Sequence, residues 1–65
     1  MDVNVTFEEA STLFNRNEDV CAIGEKADGT TIIEFCEEAD RRIEQEASKQ
    51  GISPEELVTR MVKSL

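Results

Sequence analysis

The sequence contains no histidine, tryptophan or tyrosine, only one proline, and no Cys-x-x-Cys pair. Without histidine, the most frequent general base and the most frequent metal ligand are both missing. The two cysteines have no evident activating partner, and the neighbouring carboxylates of Glu37 and Glu38 are adjacent rather than convergent. We therefore expect no enzyme activity, no metal and no cofactor.

Basic residues are also scarce, since fifteen acidic residues stand against seven basic ones and give a formal net charge of −8. Such a chain repels nucleic acid and anionic lipid as a whole, so DNA binding is disfavoured by charge. The imbalance is greater in residues 1–29, where seven acids and two bases leave a net charge of −5.

No apolar run is long enough to span a membrane, and the segment MDVNVT lacks the basic start of a signal peptide. Two cysteines in such a chain predict reduced thiols rather than a disulfide framework. We therefore expect a cytoplasmic protein without membrane contacts.

A capping box predicts the first helix. In this motif Thr6 and Glu9 each accept a hydrogen bond from the other residue's backbone N–H, so a helix should span about residues 7–15. Before it, Val3 and Val5 alternate with polar residues, which is typical of a short strand.

Asp28-Gly29, between β-favouring residues, predicts a β-hairpin with a two-residue turn. That register would place Cys21 opposite Cys36, although directly paired strands rarely carry a disulfide between them. Alternation along the second strand predicts one face made of Thr31, Ile33 and Phe35 and another made of Thr30, Ile32 and Glu34.

Two more helices follow. The first should span residues 37–50 and end at Gly51, and the second should begin with Ser53 as N-cap, Pro54 at its first position and Glu56 completing another capping box. The second helix has a broad apolar stripe that the narrow stripe of the helix before it cannot cover. Because a chain of 65 residues has a marginal core, we expect a second copy to cover that stripe. The predicted dimer core comprises Ile33, Phe35, Ile43, Leu57, Val58, Met61, Val62 and Leu65.

A strand, a helix, a Gly-Ile-Ser turn and a second helix occur in direct succession in IEFCEEADRRIEQEASKQGISPEELVTRMV. This order resembles the ribbon-helix-helix family of small repressors and antitoxins. The resemblance covers about residues 30–65, with Phe35 at the last apolar strand position and residues 51–53 at the interhelical turn.

The resemblance implies an α+β fold and an intertwined homodimer, in which the strands of two chains pair into a ribbon. In that family the outward face of the ribbon lies in the DNA major groove, and here that face would be Thr30, Ile32 and Glu34. We expect a single domain over residues 1–65, with an acidic β-α-β extension (1–29) before a ribbon-helix-helix-like core (30–65). The extension's hairpin either joins the ribbon in a four-stranded sheet or replaces it.

Glu34 and Ile32 suit DNA readout poorly, because strands that read bases use basic or amide side chains. We therefore predict a small acidic, non-catalytic regulatory protein that binds another protein, as an inhibitor or antitoxin-like regulator of the kind that phages and plasmids encode. Its target would be a nucleic-acid-binding protein whose basic surface it masks. The alternative prediction is a dimeric ribbon-helix-helix repressor that binds DNA. The candidate partner-facing acids are Glu8, Glu9, Glu18, Asp19 and Glu25.

Overall fold

The computed structural model describes residues 1–65 as an α+β fold made of three helices and one three-stranded antiparallel sheet. The Cα radius of gyration is 11.0 Å, close to the value of about 11 Å expected for a compact domain of this length. None of the helices combines the length and the apolar character that a membrane crossing requires. In chain order the elements are β1 (Asp2–Val3), α1 (Phe7–Arg16), β2 (Val20–Glu25), β3 (Thr31–Phe35), α2 (Glu37–Gln50) and α3 (Pro54–Lys63).

The predicted capping box at the start of α1 is confirmed. The Glu9 N–H donates to Thr6 Oγ1 at 3.1 Å, and the Thr6 N–H donates to Glu9 Oε1 at 3.0 Å. Two backbone donors that the first turn leaves without intrahelical partners are therefore satisfied.

The boundaries of α2 and α3 also follow the predicted signals. Gly51 adopts the left-handed conformation (φ 71°) that ends α2, and the hydroxyl of Ser53 accepts the Glu56 N–H at 3.1 Å. The second capping box is incomplete, because the Glu56 carboxylate accepts from Arg60 one turn further along α3. That part of the prediction is wrong.

The hairpin forms, but its predicted register is wrong by one residue. The loop has three residues, closed by the Lys26 N–H donating to the Thr30 carbonyl at 2.9 Å, and Gly29 has a φ of 90°. This is the three-residue loop with a left-handed third position that glycine favours. Ile23 consequently lies opposite Ile33 on the face toward the core, and a register shift at Cys21 forms a bulge in β2.

β3 is the central strand, and both of its edges are paired within this chain. β2 pairs with one edge, while β1 pairs with the other through Asp2 opposite Ile32 and Val3 opposite Thr31. Backbone hydrogen bonds between Met1 and Ile33 extend this second edge. A ribbon between the β3 strands of two copies would therefore need β1 or β2 to leave β3.

A single core joins both parts of the chain. It draws on β1, α1 and β2 as well as on the segment from β3 onward, and consists of Val3, Val5, Ala10, Leu13, Val20, Ile33, Phe35, Ala39, Ile43, Ala47, Leu57, Val58 and Val62. The buried hydroxyl of Thr31 donates to the Val5 carbonyl at 2.8 Å and fixes the segment that leads into α1.

The apolar stripe of α3 is covered by its own chain. Val58 has no exposed surface and Leu57 and Val62 are buried, because α1 and β1 pack on α3 together with α2. The expectation that only a second copy can cover this stripe is therefore wrong, and a homodimer is now implied by the resemblance alone. Met61 is half-buried, and Leu65 is 52% exposed.

The two faces of β3 differ as the alternation predicts. Thr31, Ile33 and Phe35 are buried, whereas Glu34 is exposed and Ile32 is half-buried. On the outward face Lys26 Nζ lies 2.8 Å from Asp2 Oδ2, an ion pair that joins the two outer strands across β3. The outward face therefore meets solvent and this ion pair.

The neighbouring residues Ile33 and Ile32 provide a test of these faces. We expect Ile33→Ala to lower the free energy of unfolding by about 2–5 kcal/mol, since it leaves a cavity in the core. We expect Ile32→Ala to cost about 1 kcal/mol or less. Urea denaturation followed by circular dichroism measures both values, and equal costs would mean that the outward face is covered.

Candidate binding cleft

An open cleft of about 310 Å³ lies between α2 and α3, at the end of the sheet where β3 leads into α2. Its floor is apolar and is made of Phe35, Ala39, Ile43, Leu57 and Met61. Its rim is polar and is made of Asn17, Asp19, Arg42 and Glu46.

The small side chains of α2 account for the cleft. α2 buries only Ala39, Ile43 and Ala47, at four-residue spacing, so this helix turns a narrow stripe toward the fold. Ala39 lines the cleft beside Phe35 and Leu57, and its side chain extends no further than Cβ. The short side chain is therefore consistent with the open space between α2 and α3.

The turn between α1 and β2 forms one wall of the cleft and is fastened to α2. Asn17 Oδ1 accepts the Asp19 N–H at 2.9 Å, and the Asp19 carbonyl accepts the Cys36 N–H at 2.8 Å. The Asp19 carboxylate also lies 3.3 Å from the Arg42 guanidinium. These contacts, and a disulfide beside them, hold the wall in place.

The disulfide joins Cys21 to Cys36, and the chain has no free cysteine. The expectation of reduced thiols is wrong in this structure. The hairpin register explains why the bond can form. Cys21 occupies the bulge of β2, and Cys36 lies just after β3 as the N-cap of α2. The two cysteines are therefore not directly opposite each other in paired strands.

The five acids predicted to face a partner do not form one surface. Glu18 and Asp19 lie beside the cleft, whereas Glu25 lies at the other end of β2, about 20 Å along the strand. Glu8 and Glu9 lie in the first turn of α1, near the same end as Glu25 because Val5 bonds to Thr31. Only the Glu18–Asp19 pair therefore adds to the charge of the cleft.

The predicted partner- or DNA-facing strand positions lie on the outward face of the sheet, away from the cleft. The two hydrogen-bond donors of Thr30 are already used within the loop, since its N–H and its hydroxyl both donate to Asp28 Oδ1, at 3.0 and 2.6 Å. Glu34 is exposed, with its carboxylate 3.5 Å from the Met1 amino group. The half-buried Ile32 stands between them.

The residues predicted for a dimer core separate into three groups: residues buried away from the cleft, residues that line the cleft, and one exposed residue. Ile33, Val58 and Val62 are buried in the interior of one chain. Four others, Phe35, Ile43, Leu57 and Met61, line the cleft, and Leu65 is exposed.

Sequence reasoning did not find the rim of the cleft. Asn17 lies in the turn after α1, whereas Arg42 and Glu46 lie one turn apart on α2, so no local pattern connects the two parts of the rim. One signal was present, because a narrow alanine stripe beside a broad apolar stripe indicates that two helices meet over a gap. No group of three or more acidic, cysteine or histidine side chains is arranged to hold a metal ion.

Comparison with known proteins adds no relative: no model of a protein family matches this sequence, and no match was found among curated proteins or solved structures.

An ion pair between Lys63 and Glu9 joins α3 to α1. Lys63 Nζ lies 2.8 Å from Glu9 Oε2, and this hydrogen bond, followed by the one from the Thr6 N–H, holds the pKa of Glu9 below its ordinary value. A carboxylate with a lowered pKa in the folded state stabilises the fold above its ordinary pKa. That contribution is lost as the pH falls through the lowered value.

Lys63→Gln should therefore raise the pKa of Glu9 toward its ordinary value of 4.5. Arg60→Gln is the matched control, because it removes the same charge from α3 but breaks a pair with Glu56 instead. Carboxyl NMR titration would measure the pKa of Glu9 in both variants. If the pKa of Glu9 rose equally in both variants, the positive charges on α3 in general, rather than the contact with Lys63, would be what lowers it.

Proposed function

We propose that this protein is a small non-catalytic regulator that binds another protein by accepting a bulky apolar side chain of a cationic segment into the cleft. The open apolar cleft with a polar rim is the observation that carries this proposal. The partner is a nucleic-acid-binding protein whose basic surface is masked in the complex, and the setting is the cytoplasm.

The size of the cleft supports this proposal. A dry cavity of about 150 Å³ admits benzene, and the cleft has about 310 Å³. The volume is therefore sufficient for a leucine, methionine or phenylalanine side chain. Interface energies are concentrated in a few such anchors placed in well-packed pockets.

The charge of the rim supports a cationic partner. Two carboxylates, from Asp19 and Glu46, stand against the one guanidinium of Arg42, and Glu18 adds a third carboxylate beside them. The formal net charge of −8 acts in the same direction over the rest of the surface. Such complementarity speeds encounter with a basic surface and disfavours acidic partners.

A charge-matched pair of variants on α2 tests the role of the rim. Glu46 lines the cleft, whereas Glu44 is exposed on the same helix outside it. The probe is a fluorescent lysine- and arginine-rich peptide with one central leucine, titrated by anisotropy. We expect Glu46→Gln to weaken binding by up to about fivefold, because a rim charge contributes roughly 0.2–1 kcal/mol, and Glu44→Gln to leave binding unchanged.

A second pair of variants tests the floor of the cleft. Met61→Lys places a long cationic side chain where the leucine should enter, and we expect at least a roughly tenfold loss of affinity. Ser48→Lys adds the same charge at an exposed position outside the cleft and should bind as the parent does. If the leucine peptide and a peptide with serine in place of the leucine bound equally well, the proposal that an apolar side chain enters the cleft would be wrong.

A dimeric ribbon-helix-helix repressor is the second candidate function. It is favoured by the direct succession of β3, α2 and α3 with the Gly51 turn between the two helices. Four of the residues predicted for the dimer core line the cleft, so a second copy would compete with a partner for it. Two observations disfavour the repressor: Glu34 lies on the outward strand face, and β3 is paired with β1.

Light scattering and a low-salt gel shift separate the two candidates. We expect a solution mass near the 7.3 kDa of one chain and no retardation of palindromic DNA from the region upstream of its own gene. A stable dimer that retards such DNA tightly would establish the repressor and displace the first proposal.

A further inference from the structure

The Cys21–Cys36 disulfide lies at the surface beside the cleft. Cys21 is exposed at the bulge of β2, and Cys36 is half-buried as the N-cap of α2. Exposed disulfides are the ones that external thiols reach, whereas structural disulfides are more often inaccessible. An exposed disulfide in a protein of the cytoplasm is usually transient.

The disulfide is also part of the support of the cleft wall. Phe35 on the floor directly precedes Cys36, and Asp19 on the rim lies two residues before Cys21. Two other contacts join the turn to α2 here. The Cys36 N–H donates a hydrogen bond to the Asp19 carbonyl, and the Asp19 carboxylate forms an exposed ion pair with Arg42. Exposed ion pairs contribute little free energy on their own, so the covalent bond is the strongest of the three connections.

We infer that the Cys21–Cys36 pair is a site of reversible thiol–disulfide exchange with small cellular thiols, and that its reduction loosens the Asn17–Asp19 wall of the cleft. The cytoplasmic setting and the effect on partner binding rest on the proposed function. The effect on the wall does not, since it concerns this chain alone.

The exchange proceeds in two displacements with glutathione as the reductant. A glutathione thiolate attacks Sγ of the more exposed Cys21, forming a mixed disulfide, and the electron pair of the broken bond leaves on Sγ of Cys36. A second glutathione thiolate attacks the glutathione sulfur of that mixed disulfide and releases Cys21. The products are glutathione disulfide and two protein thiols, which take up the two protons that the glutathione thiols lost.

The free N–H groups at the start of α2 favour the negative charge on Cys36, while the carboxylates of Glu37 and Glu38 oppose it. The choice of Cys21 as the attacked residue therefore rests on its greater exposure.

The first measurement is reduction of the folded protein by millimolar glutathione. Mass spectrometry should show a gain of two hydrogen atoms, and peptide mapping after rapid acid quenching should place the trapped glutathione adduct on Cys21. Far-ultraviolet circular dichroism should retain the helical signal. A disulfide that glutathione reduces only in denaturant, or a chain that unfolds on reduction, would overturn the inference, because the bond would then be structural.

The second measurement follows the cleft by NMR in the oxidised and reduced protein. We expect the methyl signals of Ile43 and Met61 to shift, and the Cys36 amide to exchange with solvent faster, after reduction. Val3, buried beside β3 near the opposite end of the sheet, is the internal control and should not change. A C21S/C36S variant should match the reduced protein in both buffers, and identical cleft signals in the two redox states would refute the coupling.

The third measurement compares the leucine peptide in the two redox states. We expect roughly tenfold weaker binding to the reduced protein, because a wall that is no longer preorganised must be ordered by the ligand. Equal binding in both states would refute control of the cleft by the disulfide. Binding in neither state, with the NMR changes present, would instead refute the proposed function while the redox inference stands.

Discussion

Burial of the apolar face of α3 by the N-terminal part of the same chain is the contact on which the rest of the structure depends. Val58 has no exposed surface because α1 and β1 close over α3 from the side that α2 does not reach. The covering segment is held by the pairing of β1 with β3 and by the hydrogen bond from the Thr31 hydroxyl to Val5. β1 and β2 thus occupy both edges of β3, and the cleft lies where the two helices α2 and α3 leave an open space between them.

The features of the fold that were predictable depend on residues close together in sequence. The helix boundaries could be read directly, because each cap acts within one turn of its helix. Thr6 and Glu9 begin α1, Gly51 ends α2, and Ser53 with Pro54 begins α3. The hairpin loop was predictable, but its length was not, because Asp28-Gly29 fits both two- and three-residue loops. That difference of one residue decides the face on which Ile23 lies and lets Cys21 reach Cys36.

The cleft itself could not be predicted, because its wall and floor come from four separate segments of the chain. Asp19 meets Arg42 only after the sheet and α2 have taken their places, and Ala39 opens a space whose existence depends on where α3 lies. The dispersal of the acidic residues has the same origin. Their number in residues 1–29 was evident, but their division between the two ends of β2 follows from the direction in which α1 crosses the sheet. Composition fixed the charge of the surface without fixing its distribution.

The packing of β1 on α3 brings the first and the last elements of the fold together. During synthesis the ribosome exit tunnel holds back the most recently added residues, so α3 can pack on β1 only after α3 has emerged. Long-range contacts of this kind slow folding relative to a simple helical bundle. The nascent chain therefore has an incomplete core until α3 has left the tunnel, and in that interval it is most exposed to chaperones, proteases and association with other chains.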